Sequence, residues 1–158
     1  MGVYNDGMHE GNTRQIAIGA TLHCLSGCAI GEIFGLVIGT AFGLGNAATI
    51  AIAITLAFLF GYTLSMMPLL KANLAFKAAL GIVLISDTLS IFTMEVADNL
   101  VEALIPGAMN AGLVNPLFWA TMPLSLLIAF FVAVPVNEYL LKRGQGHALI
   151  HKSLHGKH

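Results

Sequence analysis

Four stretches of the chain, about 15 to 43, 47 to 70, 74 to 104 and 116 to 141, are each long and apolar enough to cross a bilayer. A hydrocarbon core of about 30 Å takes roughly 20 apolar residues at about 1.5 Å of rise each. Inside it every backbone amide must be satisfied within the protein, which leaves helices or a closed barrel. Uninterrupted apolar runs of this length read as helices, and the expected fold is an all-α membrane protein, an up-down bundle of four transmembrane helices. The links are two tight turns, Gly43-Leu44-Gly45-Asn46 and Lys71-Ala72-Asn73, and one roomy loop from Ile105 to Asn115. The third stretch exceeds a span, so Asp98 to Glu102 is expected to emerge as an exposed helical end before Pro106 and Gly107 break it.

Composition agrees with a bilayer and excludes several functions. The 158 residues are 57% hydrophobic and only 9% charged, with mean hydropathy +0.83, against about a quarter charged in soluble domains. Net charge is -1, and the few Lys and Arg stand at segment ends, so no basic face exists for nucleic acid. Neither a Gly-x-Ser-x-Gly elbow nor a phosphate loop is present, which leaves hydrolases and nucleotide enzymes without support. The two cysteines lie four apart in one span and form no disulfide framework.

Positive charge sets the expected orientation. Arg14, Lys71, Lys77, Lys142, Arg143, Lys152 and Lys157 all fall on one side of the predicted topology, and the first and third links carry no Lys or Arg. Both termini are therefore expected in the cytoplasm of a multi-pass inner (plasma) membrane protein. The first 14 residues form a cytoplasmic arm, 15–142 the transmembrane domain and 143–158 a His-rich cytoplasmic tail. With Asp6 and Glu10 ahead of it, the first apolar stretch reads as a retained helix and not as a cleaved signal.

The first span carries His23, Cys24, Cys28 and Glu32 beside glycines at 27, 31, 35, 39 and 43. At 3.6 residues per turn, Cys24, Cys28 and Glu32 share one stripe, and His23 with the glycines forms the next. Glycine at every fourth position lets a neighbouring backbone come close. The ladder's drift along the i±4 ridge favours a crossed partner, and such close approach would let spans one and three face each other. Matched by depth, Cys24 and Cys28 fall level with Asp87, and Glu32 with Glu95, each within about a turn. Two polar layers follow: His23, Cys24, Cys28 and Asp87 inside, Glu32 and Glu95 outside.

A carboxylate near the membrane midplane costs about 2.5 kcal/mol or more to insert, so these groups call for compensation. Thiolate and imidazole suit Cu(I) or Zn(II), and carboxylates suit harder ions such as Mn(II) or Fe(II), and protons. The candidate metal ligands are thus His23, Cys24, Cys28, Glu32, Asp87 and Glu95. The bland alternative is that the cysteines are small core residues and the acids protonated interhelical hydrogen bonders. Met66 and Met67 could add thioethers or fill gaps, and Thr121 and Ser125 on span four could line the same cavity. In the tail, His147, His151 and His155 repeat every four residues, the spacing of a secondary imidazole site for Zn, Cu or Ni, on a segment that is also amphipathic enough to lie on the membrane.

The string His23-Cys24-x3-Cys28-x2-Gly31-Glu32, followed by glycine-rich helix and three more spans, resembles a family of small prokaryotic membrane proteins catalogued only as a domain of unknown function. The resemblance covers about 20 to 142. It implies the four-span fold and singles out His23 and Glu32 without implying a substrate. The leading expectation is a non-enzymatic membrane protein that binds or transports a transition-metal ion, Cu or Zn ahead of Mn or Fe, as a homo-oligomer joined through the glycine face. Alternatives are a structural or assembly subunit of a larger membrane complex and a membrane redox module, with haem disfavoured because His23 is the only histidine within a span.

Overall fold

A computed structural model describes the backbone over residues 3–71 and 73–142 and the side chains from Thr13 onward. It holds four long helices: α1 (Val3–Ala41), α2 (Asn46–Lys71), α3 (Phe76–Leu104) and α4 (Pro116–Lys142), with a single 3₁₀ turn at Ala108–Asn110. Among the described residues there is no strand. All four helices are long and apolar enough to span a membrane, α1 from Thr13 on. The outer surface is what lipid requires: Phe42, Leu59, Phe92, Leu100 and Phe131 are all exposed, whereas Thr21, Ser65, Ser90, Ser125 and Asn137 are buried. The histidines of the tail lie outside the described residues.

Each turn has a local cause. Gly43, at φ 62°, ends α1 in the left-handed conformation, with the amide of Leu44 donating to the carbonyl of Gly39 at 2.8 Å and that of Gly43 to Thr40 at 3.2 Å. This double bond pattern is the Schellman motif. Asn73, at φ 61°, ends α2 in the same way, its amide on Leu70 and that of Leu74 on Leu69. Asn115 caps α4 by accepting from the amide of Leu117 at 3.0 Å, and Pro116 takes the first helical position, where no amide is needed.

The glycine ladder packs against α2. A Cβ at Gly27 would stand 2.5 Å from the Cα of Gly61, and Gly31, Gly35 and Gly39 meet Ala57, Ala53 and Thr49 as closely. Each step of four up α1 matches a step of four down α2, small residue against small residue, so contact persists from Gly27 to Gly39 instead of at one crossing. The expectation that these glycines bring span one to span three is thereby corrected, because the facing small row is on the second span. Nor is the glycine face open to a second copy, since α2 of the same chain covers it. The neighbouring stripe of α1, with Cys24, Cys28 and Glu32, is left to face α3.

α4 closes the bundle through one polar knot. Asn137 donates to Thr21 of α1 at 2.7 Å and to Ser90 of α3 at 2.9 Å, all three side chains buried. Replacing Asn137 by Ala removes both bonds, each worth about 0.6 kcal/mol on average and up to about 1.7 in a membrane protein. The thermal midpoint of the purified protein should fall accordingly, by a loss of about 1–2 kcal/mol; an unchanged midpoint would mean that the knot holds nothing.

Candidate functional site

Between α1 and α3 runs a column of polar and thiol side chains in three levels. Nearest the end that lacks Lys and Arg, one carboxylate oxygen each from Glu32, Asp98 and Glu102 lie within 4.8 Å of one another. Helical spacing explains the grouping: Glu95, Asp98 and Glu102 stand at i, i+3 and i+7 on one face of α3, and Glu32 lies one turn beyond Cys28 on α1. Asp98 is only 6% exposed, and its Oδ1 has no hydrogen-bond partner. Its carboxylate also lies beside Ser125 of α4, whose hydroxyl donates to the carbonyl of Met122 at 3.0 Å.

These acids look into a cavity of about 220 Å³. Glu32, Glu95, Asp98 and Glu102 line it, and no Lys, Arg or His does. Asn46, Asn99, Asn110 and Thr49 add neutral polar groups to its lining, and Ala108–Asn110 with Ala111 borders it. Asn46 donates to the side-chain oxygen of Asn110, tying the start of α2 to the 3₁₀ turn. Four carboxyl groups lining one cavity without a cationic side chain repel one another when ionised, and a bound cation or retained protons would offset that.

One turn deeper, Cys28 lies against Glu95. Cys28, Ile91, Met94, Ala57 and Ala129 form a packed layer in which each residue is at most 3% exposed. Along α3 its Ile91 and Met94 stand between Asp87 and the acids Glu95, Asp98 and Glu102. At the far end of the same cluster Cys24 lies beside Asp87, Ser90 and Ser65, and Asp87 accepts from the hydroxyl of Ser86. Met66 is buried among apolar neighbours at that end, and Met67 faces outward.

The residues singled out from the sequence therefore divide. Glu32 and Glu95 line the cavity, and Cys28 borders it through Glu95. Cys24, part of the same packed cluster as Cys28, sits with Asp87 at its far end. His23 is on the exposed surface of α1 next to the exposed Leu22, because Thr21, Cys24 and Cys28 take the inward positions and the intervening residue turns outward. Glu32 lies with Asp98 and Glu102, about one turn further along α3 than the depth match to Glu95 places it. Asp98 and Glu102, expected on an exposed helical end, turn inward instead: α3 stays helical to Leu104, and the segment 105–112 folds back over them. The spacing Glu95-x2-Asp98-x3-Glu102 was the signal that could have found them. Thr121 and Ser125 donate to carbonyls of their own helix.

Both cysteines are free thiols, 1% and 3% exposed. A water-soluble maleimide should leave both unmodified in the folded protein and label both after denaturation, as counted by mass spectrometry, because access limits thiol reactivity. Rapid labelling of either in the native state would contradict the packing of the central layer.

Comparison with known proteins places the chain without assigning an activity. No curated protein and no solved structure matches it. Residues 13–146, which include all four spans and every acid of the column, match one family profile, and the chain belongs to the family described as Domain of unknown function (DUF4396).

Proposed function

We propose that this membrane protein binds a divalent metal ion through the carboxylates of Glu32, Asp98 and Glu102, with Glu95 set behind them by Cys28. The observation that carries the reading is the buried, unpartnered Oδ1 of Asp98 in a cavity lined by four acids and no base. Leaving such an oxygen unsatisfied costs about 1–3 kcal/mol, more when charged, and a cation supplies the missing partner. The donor set changes the ion expected. With His23 facing outward and the thiols behind the acids, oxygen ligands remain, which suit Mn(II) or Fe(II) better than Cu(I).

Access supports a sided process. The cavity is lined by residues of the 43–46 turn and the 108–112 segment, at the end of the bundle away from Lys71 and Lys142, and Ile91 and Met94 of the packed cluster stand between its acids and Asp87 along α3. With the Lys-bearing end in the cytoplasm, the ion enters from the outer face of the inner membrane. Passage to the Cys24 and Asp87 level, as a carrier needs, would require that cluster to open; a receptor would need no such passage.

Titration of the detergent-purified protein with Mn(II), followed by loss of the free-ion electron paramagnetic resonance signal, tests the reading. One ion per chain is expected. Failure to take up Mn(II), Fe(II) or Zn(II) would refute metal binding and leave shared protons as the way the acids are tolerated.

A further inference from the structure

At the opposite end of the bundle α1 and α4 part around a second groove, of about 340 Å³. Ile18, Phe130, Phe131 and Val134 make its apolar walls, and Arg14 and Glu138 stand at its edge. Arg14 is the last charged residue before the apolar run that begins near residue 15, the depth of lipid headgroups, whereas Val134 lies about two turns before Lys142 and Arg143, the charges that close the fourth apolar run, and so on the order of 10 Å deeper. The groove thus runs from the interface toward the bilayer centre, the course of an acyl chain.

The charges at its edge select the headgroup. Glu138 is bonded to Lys142 at 2.9 Å, a pair without net charge. Arg14 is exposed and has no ion-pair partner among the described residues. A guanidinium matches phosphate oxygens in bidentate fashion, and Glu138, the one acid among the described residues of the groove, is already paired with Lys142 and so offers little to the ammonium of a zwitterionic lipid. We propose that this groove holds one anionic phospholipid, its phosphate on Arg14 and an acyl chain along Phe130, Phe131 and Val134. Basic residues at an anionic leaflet act in the same direction.

The proposal is independent of the cation site, and native mass spectrometry tests it. The purified protein is offered equal amounts of phosphatidylglycerol and phosphatidylcholine in mild detergent. Wild type should retain phosphatidylglycerol preferentially, and Arg14→Gln should lower that retention about fivefold, the factor that one basic residue near an anionic surface is worth. Arg14→Lys should keep part of the preference. Val134→Trp, which fills the groove and leaves Arg14 in place, should lower retention as well, and excess inorganic phosphate should not displace the lipid. Equal retention of the two lipids by wild type, undiminished phosphatidylglycerol on Arg14→Gln, or displacement by phosphate would each overturn the assignment.

Discussion

Asp98→Asn is expected to weaken Mn(II) binding by at least about a hundredfold, since losing even an outer-shell partner of a metal ligand costs about 10–100-fold. The substitution keeps shape and removes one negative charge from a group of acids whose oxygens lie within 4.8 Å. Without metal it should therefore raise the thermal midpoint, because mutual repulsion among Glu32, Asp98 and Glu102 is relieved. With metal the order reverses: wild type gains stability as ion binds, about 2.7 kcal/mol at a concentration a hundred times the Kd, and the variant gains almost none. Glu102→Gln should behave in the same way. The opposite signs are the diagnostic, for a residue that merely fixes helix register would lower the midpoint in both conditions and leave affinity alone.

Gly31→Leu is expected to prevent assembly of the bundle. Even a Cβ at this position collides with the backbone of Ala57, and backbone cannot swing aside as a flexible side chain can. Gly31→Ala, the mildest version, should cost about 1–3 kcal/mol and lower the unfolding midpoint by about 2–12 °C. Gly19→Ala is the internal control. Nothing lies within 4 Å of a Cβ there, and replacing glycine by alanine inside a helix gains roughly 0.5–1 kcal/mol. Scanning unfolding in detergent reads all three, and equal behaviour of Gly31→Ala and Gly19→Ala would disprove the α1–α2 contact.

Most of the fold was legible because span length and hydropathy are one-dimensional properties. The four helices begin and end within a few residues of the expected spans, apart from the N-terminal extension of α1, whose polar start at Asp6 and Glu10 hid its continuity. Partner choice was less legible. A glycine ladder announces close packing but not against whom, and the answer lay in Gly61, Ala57 and Ala53, whose matching spacing on the second span had to be read together with it.

The candidate site was legible in part for a related reason. Depth matching located Glu32 and Glu95 near one end of the bundle, but helix rotation and the tilt between helices shift contacts by a turn, enough to exchange Glu95 for Asp98 and Glu102. Those two were hidden by their place just before Pro106 and Gly107, where a helix end is usually wet. The fold-back of residues 105–112 depends on long-range contacts such as that between Asn46 and Asn110, which no local pattern encodes. His23 misled because neighbouring positions on a helix differ by about 100°, so adjacency to Cys24 in sequence is separation in space.

The most direct measurement is anomalous diffraction at the manganese edge from crystals of the full chain grown with Mn(II). The account predicts a single peak among Glu32, Asp98 and Glu102, with oxygen ligands only. A peak at Cys24 or Cys28, or crystals without any peak while the carboxylates keep their grouping, would contradict it.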